Sequence, residues 1–253
     1  MVLPCILGQI VNMAAETIAL VFVGQLNDAE KTAGVGISIC YVNVLCLSLL
    51  VGLNNAIPVL VAISHGAKDL HNCEVILSRG RLLCTLLFIP VIFLMLQCEN
   101  ILLLISIDEQ VAAHAQTFTY CLIPAKFFYL QFDCYRHYFN ATGQSHITLL
   151  AFCATIPLHF YWCHLFVNLW EYDIKGAALA MCITSLLNFL IMLIYAARYS
   201  TLFVCRKQVY SITGVKEYLK IAVPSMLMLC LEWWAYEILA FSASWISVSA
   251  LGA

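Results

Sequence analysis

The sequence predicts an all-α polytopic membrane protein. Hydrophobic residues make up 63% of its 253 positions and charged residues only 10%, whereas a soluble domain is about half apolar and about 25% charged. Apolar runs close to the ~20 residues that a membrane-spanning helix needs recur along the whole chain. The net charge of −2 is too small to indicate a nucleic-acid partner. The lipid bilayer is therefore the expected surrounding.

Seven apolar runs predict seven spanning helices, over about 3–24, 33–63, 82–97, 114–135, 147–168, 176–197 and 219–243. The first run is too long for the core of a cleaved signal peptide, so we predict a retained span. The second run is long, and we expect it to break near Pro58. The third continues weakly through residues 101–105.

The basic residues predict the orientation. Nine of the twelve Lys and Arg residues lie in the second, fourth and sixth connections or beside the last span. Because cytoplasmic connections are enriched in Lys and Arg, these segments should be cytoplasmic. The N-terminus is then cytoplasmic, and the chain ends outside after seven crossings. The membrane is either the plasma membrane or a vacuolar membrane.

The first and seventh runs share a pattern that indicates a repeat. Each opens on a proline, Pro4 or Pro224, and each has a polar residue eight positions later, Asn12 or Glu232. The seventh run comes six spans after the first, an even number, so both point the same way, as in transporters built from two six-helix halves. We therefore predict a six-helix lobe over 1–200, a cytoplasmic connection over 201–217, and the first helix of a truncated second lobe over 218–253. The chain would then be about half of a two-lobe transporter.

Polar residues within the first two runs are candidate cavity residues. Gln9, Asn12 and Glu16 are spaced to form one stripe on a helix. Such a stripe either forms hydrogen bonds between helices or lines a cavity. Both remain open for Gln9 and Asn12, whereas the acid Glu16 favours a cavity, as acids at membrane depth usually do. Asn43, in the middle of the second run, has the same two interpretations.

The segment 232–237 of the last run is the richest candidate site. Glu232 and Tyr236 share one helix face, and Trp233 and Glu237 share the next. Glu232 lies near mid-depth, where loss of water favours the neutral form of a carboxyl group. When ionised, it can hold a cation, to which aromatic rings add about 0.5–2 kcal/mol. We interpret Glu232 and Glu237 as proton-coupling and cation-binding residues, and Trp233 and Tyr236 as cavity neighbours.

Two further charged positions within spans have structural interpretations. We predict an interfacial ion pair between Asp133 and Arg136, which are three residues apart on one helix. Lys126 is expected to extend its ammonium group towards the membrane surface. The alternative is an ion pair with Asp108, Glu109 or Glu16.

The segment Val223–Glu237 closely resembles the seventh helix of eukaryotic multidrug and toxic compound extrusion (MATE) transporters. Looser similarities are Gly24-Gln25-Leu26, Asn43, residues 136–143 and residues 174–178. The resemblance implies two six-helix lobes and exchange of protons or sodium for organic cations, drugs or metabolites. It implies that Glu232 couples protons and binds cations, with Glu237, Trp233 and Tyr236 as cavity neighbours. It also implies that Gln9 and Asn43 face the same cavity.

We expect a secondary antiporter that exports organic cations or drugs in exchange for protons, with sodium less favoured. The sequence contains no phosphate-binding loop, nucleophile elbow or zinc-ligand spacing, so we expect neither enzymatic activity nor a cofactor or metal. Three alternatives remain open. The first is a seven-helix receptor, which would place the N-terminus outside. The second is a lipid flippase, which would have a basic cavity. The third is that the chain is a non-functional fragment of a transporter.

Overall fold

The computed structural model describes residues 2–26, 28–198 and 208–246, and the side chains of 13–26, 28–198 and 208–235. This part of the chain is helical. Its elements are α1 (Val2–Gly24), α2 (Ala29–Val42), a π-helical segment (Asn43–Leu47), α3 (Ser48–Asn54), α4 (Ala56–Gly66), α5 (Leu70–Leu96), α6 (Cys98–Leu104), α7 (Glu109–Ala141), α8 (His146–Cys163), a second π-helical segment (His164–Leu169), α9 (Asp173–Arg198) and α10 (Ile212–Ile246).

Each predicted span falls, to within one residue, on one helix or on a series of consecutive helices, so the all-α polytopic class is confirmed. Among the residues whose side chains are described, four segments are long and apolar enough to cross a membrane by length and composition alone: Ala29–Gly66, Leu70–Leu96, His146–Leu169 and Asp173–Arg198. In α1 the side chains of Met13–Gly24 are described, and this part of the helix is apolar. The α7 helix instead carries Lys126, Asp133 and Arg136 along its length.

The second span changes its helix type along its length. It consists of α2, the first π-helical segment, α3 and α4, with a turn at Asn55 between the last two. Pro58 lies in the first turn of α4, where its missing N–H group has no intrahelical partner to lose. The predicted break near Pro58 is therefore confirmed, and it lies on the N-terminal side of the proline.

Several helices begin earlier than the apolar runs because capping side chains, not hydrophobicity, set their ends. Asp69 accepts a hydrogen bond from the backbone N–H of Asn72 and starts α5 at Leu70. Asp108 caps α7 in the same way. A side chain that accepts from the first free N–H groups stabilises a helix start. The α10 helix also begins before its apolar run, at Ile212, inside the range predicted for the connection.

Arg79 and Arg81 correct the predicted second connection. Both lie inside α5 and both are buried. Arg79 donates to the backbone carbonyls of Gln208 and Val209, just before α10. The Arg81 guanidinium donates to the side chain of Gln131 on α7. Arg81 therefore joins α5 to α7, and Arg79 joins α5 to the turn before α10.

The α7 helix lies at the centre, packed against α9, α2 and α5, while α1 packs on α8 and α10 packs on α3. The predicted ion pair between Arg136 and Asp133 is confirmed, with Arg136 Nε 3.0 Å from Asp133 Oδ1. The Asp133 side chain is 0% exposed, so the pair is buried within the protein, and its position at the membrane interface stays a prediction. Asn54 Nδ2 also donates to this carboxylate at 2.9 Å, so the pair links α7 to the end of α3.

Candidate functional site

One face of α10 packs on the second span. The buried side chains Tyr218, Ala222 and Cys230 follow the four-residue spacing of one helix face. Tyr218 donates its hydroxyl hydrogen bond to the Leu53 carbonyl at 3.1 Å, and Cys230 Sγ lies 3.5 Å from Ser48 Oγ. This stripe fixes which side of α10 meets the six-helix lobe.

Glu232 lies on the opposite side of α10. Two residues beyond Cys230, it is rotated about 200° around the helix from the packed stripe. Its side chain is exposed, and the neighbouring Leu231 is 71% exposed and Met228 70% exposed. The carboxylate therefore lies on a face of α10 that the six-helix lobe does not cover.

The aromatic segment next to Glu232 contacts the π-helical segment of the second span. The Trp234 indole Nε1 donates to the Val44 carbonyl at 3.1 Å, and Trp233 packs in part against the apolar core. Asn43, which precedes Val44, has a buried Oδ1 without a hydrogen-bond partner among the described residues. The structure thus brings the predicted residue Asn43 and the predicted aromatic segment into the same region.

Glu16 belongs to a different place. Its Oε1 lies 2.9 Å from Lys126 Nζ, and the Lys126 side chain is only 7% exposed. The prediction that Lys126 extends to the membrane surface is therefore wrong, and the alternative pairing with Glu16 is found. The reason is geometric, since α1 supplies a carboxylate within direct reach of the inward face of α7.

The Glu16–Lys126 pair lines a cavity of about 50 Å³ between α1, α7, α8 and α9. The cavity is also lined by His159, Thr184 and Asn188, for which the sequence analysis predicts no role. Thr184 and Asn188 are four residues apart on the apolar helix α9, and that polar pair was the signal available in the sequence.

Four predicted site residues have no described side chains. Gln9 and Asn12 are on α1, and Tyr236 and Glu237 are on α10. Their helices are described, but the surroundings of their side chains lie outside the described part of the chain.

Sequence comparison identifies one family. Residues 4–165 match the MatE family. Multidrug and toxin extrusion protein 1 of Oryctolagus cuniculus is 30% identical over 253 residues, which cover 99% of this chain and 44% of that protein. Protein DETOXIFICATION 9 of Arabidopsis thaliana is 27% identical over 246 residues, covering 91% of this chain and 51% of that protein. The chain spans about half the length of the curated relatives that it matches.

Solved structures give the same result for the fold. The crystal structure of the eukaryotic MATE transporter AtDTX14 superposes with a TM-score of 0.85 at 25% identity, covering 91% of this chain and 52% of that one. A MOP superfamily transporter from Pyrococcus furiosus superposes with a TM-score of 0.81 at 17% identity, covering 99% of this chain and 59% of that one. The helices described above therefore correspond to about half of a two-lobe transporter.

Proposed function

Because this chain belongs to the MatE family, we propose that it forms the first lobe and the seventh helix of a secondary antiporter. The antiporter exports organic cations or drugs in exchange for protons, by alternating access of a cavity between two lobes. Residues 1–200 are the six-helix lobe, 201–217 the cytoplasmic connection, and 218–253 the start of the second lobe. The N-terminus is cytoplasmic, in the plasma membrane or a vacuolar membrane.

The exposed carboxylate of Glu232 is the observation that supports this proposal best. An ionisable group within a membrane-spanning helix faces a protein interior or a water-filled cavity, because contact with lipid is unfavourable. The face of α10 that carries Glu232 is uncovered by the six-helix lobe. A second lobe on that side would enclose a cavity with Glu232 on its wall.

In this proposal Glu232 binds a proton or a cationic substrate in turn, and its negative charge selects cations. Proton exchange requires a group that titrates, which a carboxyl group provides, whereas sodium binding generally uses several oxygen ligands. We therefore favour protons over sodium. Glu237 is the second acidic group, and Trp233, Tyr236, Asn43, Gln9 and Asn12 line the cavity. Glu16 lines the smaller cavity of the six-helix lobe.

The printed names of the relatives support the substrate class. Relatives that are 30% and 27% identical to this chain over the aligned residues are named for multidrug and toxin extrusion and for detoxification. The family also favours transport over a seven-helix receptor. Mapping inserted glycosylation sites at the N-terminus separates the two, because a receptor requires the N-terminus outside.

The test is pH-driven uptake of tetraethylammonium into proteoliposomes. The protein in them is a complete two-lobe transporter that includes residues 1–253. We expect Glu232→Gln to abolish uptake and Glu232→Asp to retain part of it, because only the aspartate can bind and release a proton. Glu217→Gln is the matched control, since Glu217 is an exposed acid at the start of the same helix. Unchanged uptake by Glu232→Gln contradicts the proposal. Replacing the pH gradient with a sodium gradient distinguishes the coupling ion.

A further inference from the structure

A groove between α7 and α9 opens on the outer surface of the six-helix lobe. Its volume is about 510 Å³, within the ~300–1,000 Å³ of pockets that hold a small molecule. Leu179 and Cys182 of α9 line it, and they are rotated by about 120–180° around that helix from Thr184 and Asn188. Because Thr184 and Asn188 line the inner cavity, the groove lies on the other side of α9.

The wall of the groove is apolar along the span. Its lining residues there are Cys121, Pro124, Leu179 and Cys182. Beyond them, the rings of Phe128 on α7 and Phe189 on α9 stack with their centres 6.1 Å apart. Phe128 follows Pro124 by four residues and Phe189 follows Cys182 by seven, so both rings lie on the groove side of their helices. We therefore place the inner end of the groove at these two rings.

The other end of the groove carries its polar groups, Tyr172 and Lys175. Both side chains are exposed. They lie at the start of α9, which is long and apolar enough to cross a membrane from Asp173 to Arg198. Tyrosine and lysine at the end of a span place their polar tips at the level of the lipid headgroups. The groove thus runs from the headgroup level into the apolar part of the span.

The Lys175 ammonium makes no ion pair with any residue in the described part of the chain. Asp173 is the acid closest to it in sequence, and that carboxylate is paired with Lys31. By contrast, Lys126, the other lysine on this pair of helices, is paired with Glu16. Lys175 is therefore a cation at the mouth of an apolar groove whose negative partner must come from outside the described chain.

A phospholipid supplies both parts of the missing partner. Its phosphate is anionic and lies at the headgroup level, where a lysine ammonium pairs with it as a charged hydrogen-bond donor. Its acyl chains extend from that level into the hydrocarbon, as the groove does. A free anion has no part that covers the apolar wall, and an uncharged lipid has no group that pairs with the ammonium.

We propose that this groove binds one phospholipid, with the phosphate on the Lys175 ammonium and one acyl chain along the wall between α7 and α9. The Tyr172 ring lies beside the headgroup, and the stacked rings of Phe128 and Phe189 mark the depth that the chain reaches. This proposal is independent of the proposed antiport, because it concerns the surface that the 253-residue chain presents to the bilayer.

The test adds phosphatidylglycerol to the purified 253-residue chain in detergent. Native mass spectrometry counts the lipids that stay bound, and the melting temperature follows their effect on stability. We expect one retained lipid and a melting temperature that rises with lipid concentration, because a ligand that binds only the folded state stabilises it. Lys175→Met should lose most of both effects and Lys175→Arg should keep them. Lys216→Met, which removes an exposed lysine of α10, is the control and should behave like the natural chain.

A second pair of variants tests the apolar wall. Cys182→Trp fills the groove and should also lose the retained lipid, whereas Cys153→Trp, at an exposed cysteine of α8, should keep it. The proposal is overturned if Lys175→Met retains the lipid as well as the natural chain does. It is also overturned if diacylglycerol with the same acyl chains, oleate or inorganic phosphate stabilises the natural chain as much as phosphatidylglycerol does.

Discussion

Gly52 of α3 and Met226 of α10 meet backbone to backbone. A Cβ atom at Gly52 would lie 2.6 Å from Met226 Cα, which is closer than two carbon atoms can approach. The absence of a side chain at Gly52 therefore permits the contact between the six-helix lobe and the seventh helix. The face of α10 that carries Glu232 is oriented by this contact together with the Tyr218 hydrogen bond.

Gly52→Ala should lower the melting temperature of the purified chain. The added methyl group forces α10 away from α3, and such overpacking typically destabilises by about 1–3 kcal/mol. Gly36→Ala is the matched control, because nothing lies within 4 Å of a Cβ at Gly36 and alanine favours a helix by up to ~1 kcal/mol over glycine. Equal melting temperatures of the two variants would show that the close contact is not formed.

The buried carboxylate of Asp133 leads to a second prediction. Arg136→Met removes a cation that faces a fully buried carboxylate, and such a change destabilises by about 3–5 kcal/mol. Adding Asp133→Asn should restore most of the loss, because the buried charge is then gone. Urea unfolding followed by tryptophan fluorescence measures both.

The exposed ion pair between Lys31 and Asp173 is the comparison for that experiment. Its side chains are 27% and 36% exposed, so water compensates either charge when the partner is removed. Lys31→Met should therefore change stability much less than Arg136→Met. A comparable loss in both variants would mean that burial of Asp133 is not the cause.

The hydrogen bond from Trp234 to the Val44 carbonyl gives a third prediction. Trp234→Phe keeps an aromatic ring but removes the Nε1 donor, so we expect a loss of about 0.5–1.5 kcal/mol, the usual net value of one hydrogen bond. Trp170→Phe, at a side chain that is 52% exposed, is the control. A larger loss in the control than in Trp234→Phe would argue against this contact between α10 and the π-helical segment.

The sequence predicts the fold well because apolar runs and helix-breaking residues are local signals. The seven spans, the break before Pro58 and the Asp133–Arg136 pair all depend on residues that are close in the chain. Helix ends are less accurate, since capping by residues such as Asp69 and Asp108 extends a helix beyond its apolar part.

Contacts between distant helices are what the sequence could not predict. Lys126 and Glu16 are 110 positions apart, and the sequence offers Asp108, Glu109 and Glu16 as partners for Lys126. Only the packing of α1 against the bundle decides among them. The segment that contains Asn43 lies near Trp234 for the same reason, through a π-helical turn that residue patterns do not reveal.

The turn between α1 and α2 offers a pH-dependent prediction outside the spans. Asp28 Oδ1 accepts hydrogen bonds from the backbone N–H groups of Lys31 and Glu30, at 3.2 Å and 3.1 Å. The hydrogen bond from Lys31, more than the others, lowers the pKa of this carboxyl group below its ordinary value of 3.8. The ionised carboxylate therefore stabilises the folded state.

Because the pKa of Asp28 is lower in the folded than in the unfolded chain, its contribution is complete above the unfolded value of about 3.9. It disappears as the pH falls through the folded value. Asp28→Asn keeps an oxygen that caps the helix but cannot titrate. The melting temperature of the natural chain minus that of Asp28→Asn should thus be constant at neutral pH and decrease on acidification below the ordinary pKa of aspartate. A difference that grows on acidification would show that the charge of Asp28 opposes folding.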